Sequence, residues 1–160
     1  RLGNETRNLF KNKFGFSKAG VDLRAYISTD TVKGVTFAFR TGAAKVWGNY
    51  PFYESMFLGG ANSLKGFSRE RFAGDAVVLG ETEIRFDVAR VNILIPGMLG
   101  ISVFGGTGRV FLTGEDSKRW HSSFGSSIWL SYLERMFNIG FTAAKSDEGY
   151  KFFIGSAFLL

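Results

Sequence analysis

The residues best suited to chemistry in this chain are four charges at every second position, Glu81, Glu83, Arg85 and Asp87. Paired carboxylates at such close range invite glycosidase chemistry. The interleaved Arg85 and the cation Lys65 upstream point instead to charge pairing. His121 sits beside Ser122, Ser123, Ser126 and Ser127, yet no Gly-x-Ser-x-Gly elbow accompanies them. Gly105, Gly106 and Gly108 form a glycine run, but no helical pattern follows to complete a phosphate cradle. With one histidine and no cysteine, thiolate or histidine-cluster metal sites have no ligands. The expectation is a chain with no catalytic residues, no metal and no cofactor.

The elements that must carry those charges follow a period of two. Gly80, Thr82, Ile84, Phe86 and Val88 take one face of a segment whose other face holds Glu81, Glu83, Arg85 and Asp87. Val35, Phe37 and Phe39 alternate with Thr36, Ala38 and Arg40. Phe137, Ile139, Phe141 and Ala143 alternate with Asn138, Gly140, Thr142 and Ala144, and Tyr150, Phe152, Ile154, Ser156 and Phe158 alternate at the end. Four buried charges in a row would each cost several kcal/mol in a soluble core unless paired. A transmembrane β-barrel has a polar lumen and an apolar outer face, so it accommodates this pattern. The expected fold is therefore all-β: an antiparallel transmembrane β-barrel forming one domain over residues 1–160. Eight strands are expected, at 2–10, 14–28, 34–48, 76–91, 97–112, 120–133, 136–146 and 149–160.

Composition agrees with many strands and tight turns: 18 Phe, 21 Gly and only 2 Pro among 160 residues. Short turns are expected near 29–33, 92–97 and 133–136. Longer polar excursions are expected at 48–75, 113–120 and 146–149, one kind on each rim. Trp47, Tyr50, Phe52, Tyr53 and Trp120 would gird one rim and Tyr132 the other. The apolar stretch at 93–106 is broken by Pro96 and is too short for a spanning helix. The net charge of +6 is dispersed without a basic arm, so it suits anionic headgroups and gives no reason to expect nucleic acid. The chain opens at Arg1 with no secretion signal, and is read as a mature product or a fragment.

The most informative segment is residues 51–75, PFYESMFLGGANSLKGFSRERFAGD, followed by LGETEIRF. Phe57, the double glycine Gly59–Gly60, then Leu64, Lys65, Gly66 and Phe67, the later Gly74, and the acid-x-Arg of Glu83 and Arg85 resemble the BamA-like outer-membrane assembly superfamily, or bacterial surface antigen family. The resemblance runs through GRVFLTGEDSKRWHSSFGSSIWL to the end of the chain. It corresponds to the last eight strands of a family barrel of about sixteen.

The resemblance implies a bacterial outer-membrane protein that inserts or translocates other polypeptides, with client chains and outer-membrane lipids (phospholipid, lipopolysaccharide) as partners. A minimal member lacking soluble domains would act on lipids or form homodimers. The final strand, with Tyr150, Phe152, Phe158 and Leu160, resembles the C-terminal insertion signal of such barrels. Two positions depart from the family pattern. Lys65 stands where the family has Arg, and a Lys cannot make a bidentate fork. Gly106 stands where the family carries Asp, so the internal clamp is expected to be rewired or weakened.

The loop can be read without the family. Its glycines permit positive φ and close approach. Lys65 would reach inward to Glu81, Glu83 and Asp87 while Leu64 and Phe67 wedge the tip, bracing the barrel from inside. Two other functions compete: a structural or porin-like barrel without clients, whose lumen at eight strands is too narrow for solutes, and a soluble lipocalin-like binder, which the inward charges oppose.

Overall fold

The computed structural model describes residues 2–7, 13–29, 34–93, 95–115, 118–132 and 137–155. They form an all-β chain of ten strands: β1 (Leu2–Arg7), β2 (Lys13–Thr29), β3 (Val35–Asn49), β4 (Met56–Leu58), β5 (Phe72–Gly74), β6 (Ala76–Ile93), β7 (Ile95–Phe111), β8 (His121–Tyr132), β9 (Phe137–Ser146) and β10 (Gly149–Gly155). Among the described residues there is no α-helix, only a 3₁₀ turn at Phe52–Glu54.

Eight of the strands make one antiparallel sheet in the order β1-β2-β3-β6-β7-β8-β9-β10, and β4 pairs with β5 alone. Apart from the excursion that holds β4 and β5, every strand lies beside its neighbour in sequence. Among the described residues no ladder joins β1 to β10. The eight expected strands are thus present as a sheet, and β4 and β5 are additions the alternation did not announce.

Two connections are tighter than expected. β6 and β7 pair up to Ile93↔Ile95, leaving one residue between them. β9 and β10 pair at Ser146↔Gly149, with Gly149 at φ +110, so the expected excursion at 146–149 is a two-residue turn. Positive φ suits glycine in such turns, and there is no strict alternation of long and short connections.

Cross-strand register carries the alternation from strand to strand. Arg24, Arg40, Glu81 and Gly106 lie opposite one another in turn, as do Ala38, Glu83, Phe104 and Gly125. Because the side-chain period is two, this register puts all of them on one face. That inner face holds the buried polar groups Glu81, Glu83, Arg85, Ser102, Ser123, Ser127 and Thr142. The other face exposes Ile27, Phe37, Phe39, Phe86, Ile101, Val103, Phe124, Ile128, Phe141, Phe152 and Ile154. A soluble sheet places these two classes the other way round. A bulge between Asp87 and Ala89 resets the alternation near the end of β6, as an extra residue on one strand does.

Candidate functional site: the inward-folded loop

Residues 50–75 leave β3, run through the 3₁₀ turn, form the β4–β5 hairpin (Leu58 opposite Phe72) and lie back on the inner face. Backbone geometry makes the return possible. Gly59 and Gly60 stand at φ +114 and +104, and a Cβ on Gly59 would fall 2.6 Å from the Ser68 carbonyl oxygen. Gly60 N–H donates to the Leu64 carbonyl and Glu70 N–H to that of Gly59, which closes the tip on itself. Gly66, at φ +98, crosses so near β8 that a Cβ would meet that of Ser123 at 2.9 Å. Its carbonyl accepts a 2.7 Å hydrogen bond from the Ser146 hydroxyl on β9.

The tip is held first by apolar burial. Leu58, Leu64 and Phe67 are fully buried and pack with Leu79 on β6, flanked by Phe72, Val77 and Val110. Phe67 meets Phe72 and His121 edge-on, and Phe72 stacks on the His121 ring at 3.6 Å. His121 therefore joins an aromatic cluster beneath the loop. The inner-face glycines supply the space. A Cβ on Gly106 would lie 3.1 Å from Leu64 Cδ1 and 2.9 Å from Glu81 Cγ; one on Gly108 would lie 3.0 Å from Leu58.

Charge comes second. Lys65, 5% exposed, brings its Nζ to 3.8 Å from Glu83 Oε2, an ion pair too long for a hydrogen bond, and lies 4.3 Å over the Phe104 ring. Glu83 is 2% exposed and its other oxygen accepts from Arg85 Nε at 3.1 Å. Beside it Arg40 bridges Glu81 (3.1 Å), Asp22 (2.8 Å) and the Asn62 carbonyl of the loop (3.2 Å), and Arg24 reaches Asp22. Removing Lys65 from water costs several kcal/mol. Three fully buried apolar side chains of the loop offset that at about 1.5–3 kcal/mol each. Burial therefore docks the loop, and the ion pairs fix where it docks.

Of the expected partners of Lys65, Glu83 contacts it and Glu81 lies close enough for its charge to be felt. Asp87 does not join them. It stands four residues beyond Glu83, about 14 Å along a strand, where its N–H donates to the Gly34 carbonyl. Gly74 packs against the Phe111 backbone, where a Cβ would fall 2.6 Å from a carbonyl oxygen. Tyr150 and Phe152 are exposed on the outer face, Phe152 stacked with Phe141. Phe158 and Leu160 lie outside the described residues.

Comparison with known proteins decides nothing. No family model, curated protein or solved structure matches the chain. The site therefore stands on its geometry. Sequence reasoning missed Asp22, Arg24 and Arg40 as members of the inner charge network. The alternation of Arg40 with Phe37 and Phe39 already placed it inward, but its partners depend on register between strands distant in sequence.

Where the loop re-enters the sheet, Asp75 ties three strands together. Its carbonyl accepts from Val46 N–H and its N–H donates to the Phe111 carbonyl. Its carboxylate accepts from Thr113 N–H at 2.6 Å and from the Tyr50 hydroxyl. The Thr113 donors, then the Tyr50 hydroxyl, hold the Asp75 carboxyl below its usual 3.8, and burial followed by the Asp75 contact pushes Tyr50 up to about 12. The depressed Asp75 value means its contribution is complete above pH 3.8 and disappears as pH falls through the lower folded value. The raised Tyr50 value means its contribution is complete below pH 10.0 and disappears as pH rises through about 12. Asp75→Asn should flatten the acid limb of a pH–cleavage profile of this loop, and an unchanged acid limb would refute the assignment.

Lys65→Ala should loosen the tip modestly, because Arg85 still pairs with Glu83. A loss of about 1.4 kcal/mol corresponds to roughly tenfold, read as faster protease cleavage between Asn62 and Gly74. Cleavage at the wild-type rate would mean that Lys65 does not hold the loop.

Proposed function

We propose that this chain forms the wall of a transmembrane β-barrel in the bacterial outer membrane, of the BamA-like assembly or translocation class, with residues 50–75 folded into the lumen as an internal brace. The observation that carries the reading is the inversion of the two faces: large apolar side chains exposed outside, and Glu83, Arg85 and Lys65 buried inside. The strands suit the role. β2, β3, β6, β7, β8 and β9 run 10 to 18 residues, against about 9–11 for a tilted crossing strand and about 5–6 in ordinary sheets. The double glycine, the Leu64–Phe67 tip and the acid-x-Arg of β6 meet in one docked unit, which supports the family resemblance through packing as well as order.

Reconstitution tests the proposal. Liposomes carrying the chain should accelerate insertion of a denatured client barrel relative to empty liposomes. A chain that stays monodisperse in plain buffer would refute the membrane assignment. Membrane insertion without any client acceleration would refute only the assembly role. A second reading then follows, a structural or lipid-interacting barrel without clients. It is favoured by the fully buried Leu64 and Phe67, which fill the inner face beside β7 and β8.

A further inference from the structure

We propose that His121 makes the docking of the long loop pH-sensitive: a proton on its ring releases the β4–β5 hairpin from the inner face. The inference rests on the docked loop and not on any client role. His121 is the only histidine in the chain. It opens β8 at the rim, opposite Gly108 on β7, with its side chain turned toward the loop and only 9% exposed. Phe72 of β5 stacks on its ring at 3.6 Å, 18° from parallel, and Phe67 meets it edge-on at 5.7 Å. The ring is therefore part of the surface on which the hairpin rests.

The surroundings of the ring fit its neutral form. Nδ1 is buried and has no hydrogen-bond partner. Neutral imidazole can leave that nitrogen as an unused acceptor with its proton on Nε2, whereas imidazolium carries a proton on both nitrogens. The second N–H would point among Phe67 and Phe72 with nothing to accept it, and an unmet donor costs more when it is charged. The charges that reach the ring offer no relief. Arg71 on the loop pairs with Glu148 at 2.6 Å, and Arg119 just before β8 pairs with Asp147. Both carboxylates of the β9–β10 turn thus already have cations, and those cations stand near His121 themselves. Arg71 also lies 5.3 Å over the Phe72 ring, so the aromatic face that would steady an imidazolium is shared with a like charge. Of the other charges on the packed elements, Lys65 is turned to Glu83, Arg69 pairs with Glu70, and Arg109 lies over Phe111.

When the hairpin lifts, the ring meets water and titrates near the ordinary imidazole value of about 6.5. The undocked state then binds a proton that the docked state refuses. Docking is therefore complete above about pH 6.5 and weakens as pH falls below it. At about pH 5.5, one unit lower, the open fraction should be about tenfold larger than at about pH 7.5. This window lies above the ordinary carboxylate range, which separates it from the Asp75 limb below 3.8.

The test uses the full chain in detergent micelles, with protease cleavage between Asn62 and Gly74 followed from about pH 7.5 to about 5.5. Rates are divided by those on a free peptide of the same loop, which removes the protease's own pH dependence. Cleavage through a rapidly closing open state tracks the population of that state, so wild type should speed up about tenfold. His121→Phe keeps a stacking ring without a titrating nitrogen, and should be cleaved at one rate throughout. Proton NMR of the single histidine gives a second reading: its ring should titrate at a higher pH in Phe67→Ala, where the loop is released, than in wild type. A flat wild-type profile overturns the proposal, as does a His121→Phe profile as steep as that of wild type, or the same titration midpoint in Phe67→Ala and wild type. None of these outcomes touches the membrane reading, which liposome insertion decides separately.

Discussion

Phe67→Ala should release the long loop from the inner face and cost about 3–5 kcal/mol of loop docking, the usual range for emptying a buried aromatic site. Phe67 is fully buried, and its ring contacts Phe72 and His121 edge-on. Its neighbours are held by the β-sheet backbone on one side and the β4–β5 hairpin on the other, so they cannot collapse into the vacancy. The loss should appear as a lower denaturant midpoint in detergent micelles and as cleavage between Asn62 and Gly74 at denaturant concentrations that leave wild type intact. Phe52, exposed on the same excursion, supplies the control: Phe52→Ala should stay within about 0.5 kcal/mol. If the two variants behave alike, the loop is not docked through its apolar tip. Phe67→Ala should also exceed Lys65→Ala, because burial carries most of the docking and the ion pair mainly its placement.

Most of the sheet was legible in the sequence because alternation is a local property. The charges at 81, 83, 85 and 87 and the phenylalanines at 37 and 39 each fix a face without reference to any other strand. Strand ends were less legible. β6 and β7 pair to within one residue of each other, although Pro96 and Gly97 suggested an earlier break. Pro96 lies opposite Asn92 near the end of the hairpin, where a missing N–H costs little. The inner network was only half legible. Lys65 and Glu83 could be matched because the loop precedes its own strand, whereas Arg40 and Asp22 meet through a register that no short window contains. Asp87 was misplaced for a simpler reason: it shares the face of Glu83 but lies too far along the strand for the Lys65 ammonium.

Gly106 shows how a departure from a pattern can be a fitted feature. An acid at that position would crowd Glu81 and the Leu64 side chain, since even a Cβ would come within 2.9 Å and 3.1 Å of them. The glycine and the apolar tip are complementary, and Lys65 reaches Glu83 and the Phe104 ring without help from position 106. Burial of Leu58, Leu64 and Phe67 together against Leu79 then carries the docking of the tip.

Val103→Arg is the sharpest test of which solvent the outer face meets. Val103 lies near the middle of β7, opposite Ile84 on one side and Ser126 on the other, and is 47% exposed. In water an arginine there would be close to neutral, as surface substitutions generally are. In hydrocarbon it should cost about 2–4 kcal/mol at mid-depth and only about 0–1 near the interface. Leu112→Arg supplies the interface comparison, because Leu112 is similarly exposed, at 46%, just past the rim end of β7. Folded fraction in phosphatidylcholine vesicles as urea is raised should fall much further for Val103→Arg than for Leu112→Arg. Both variants add the same side chain to an exposed apolar position, one at the middle of β7 and one just past its rim end. Equal effects, or a larger one at Leu112, would mean that the outer face meets something other than a bilayer.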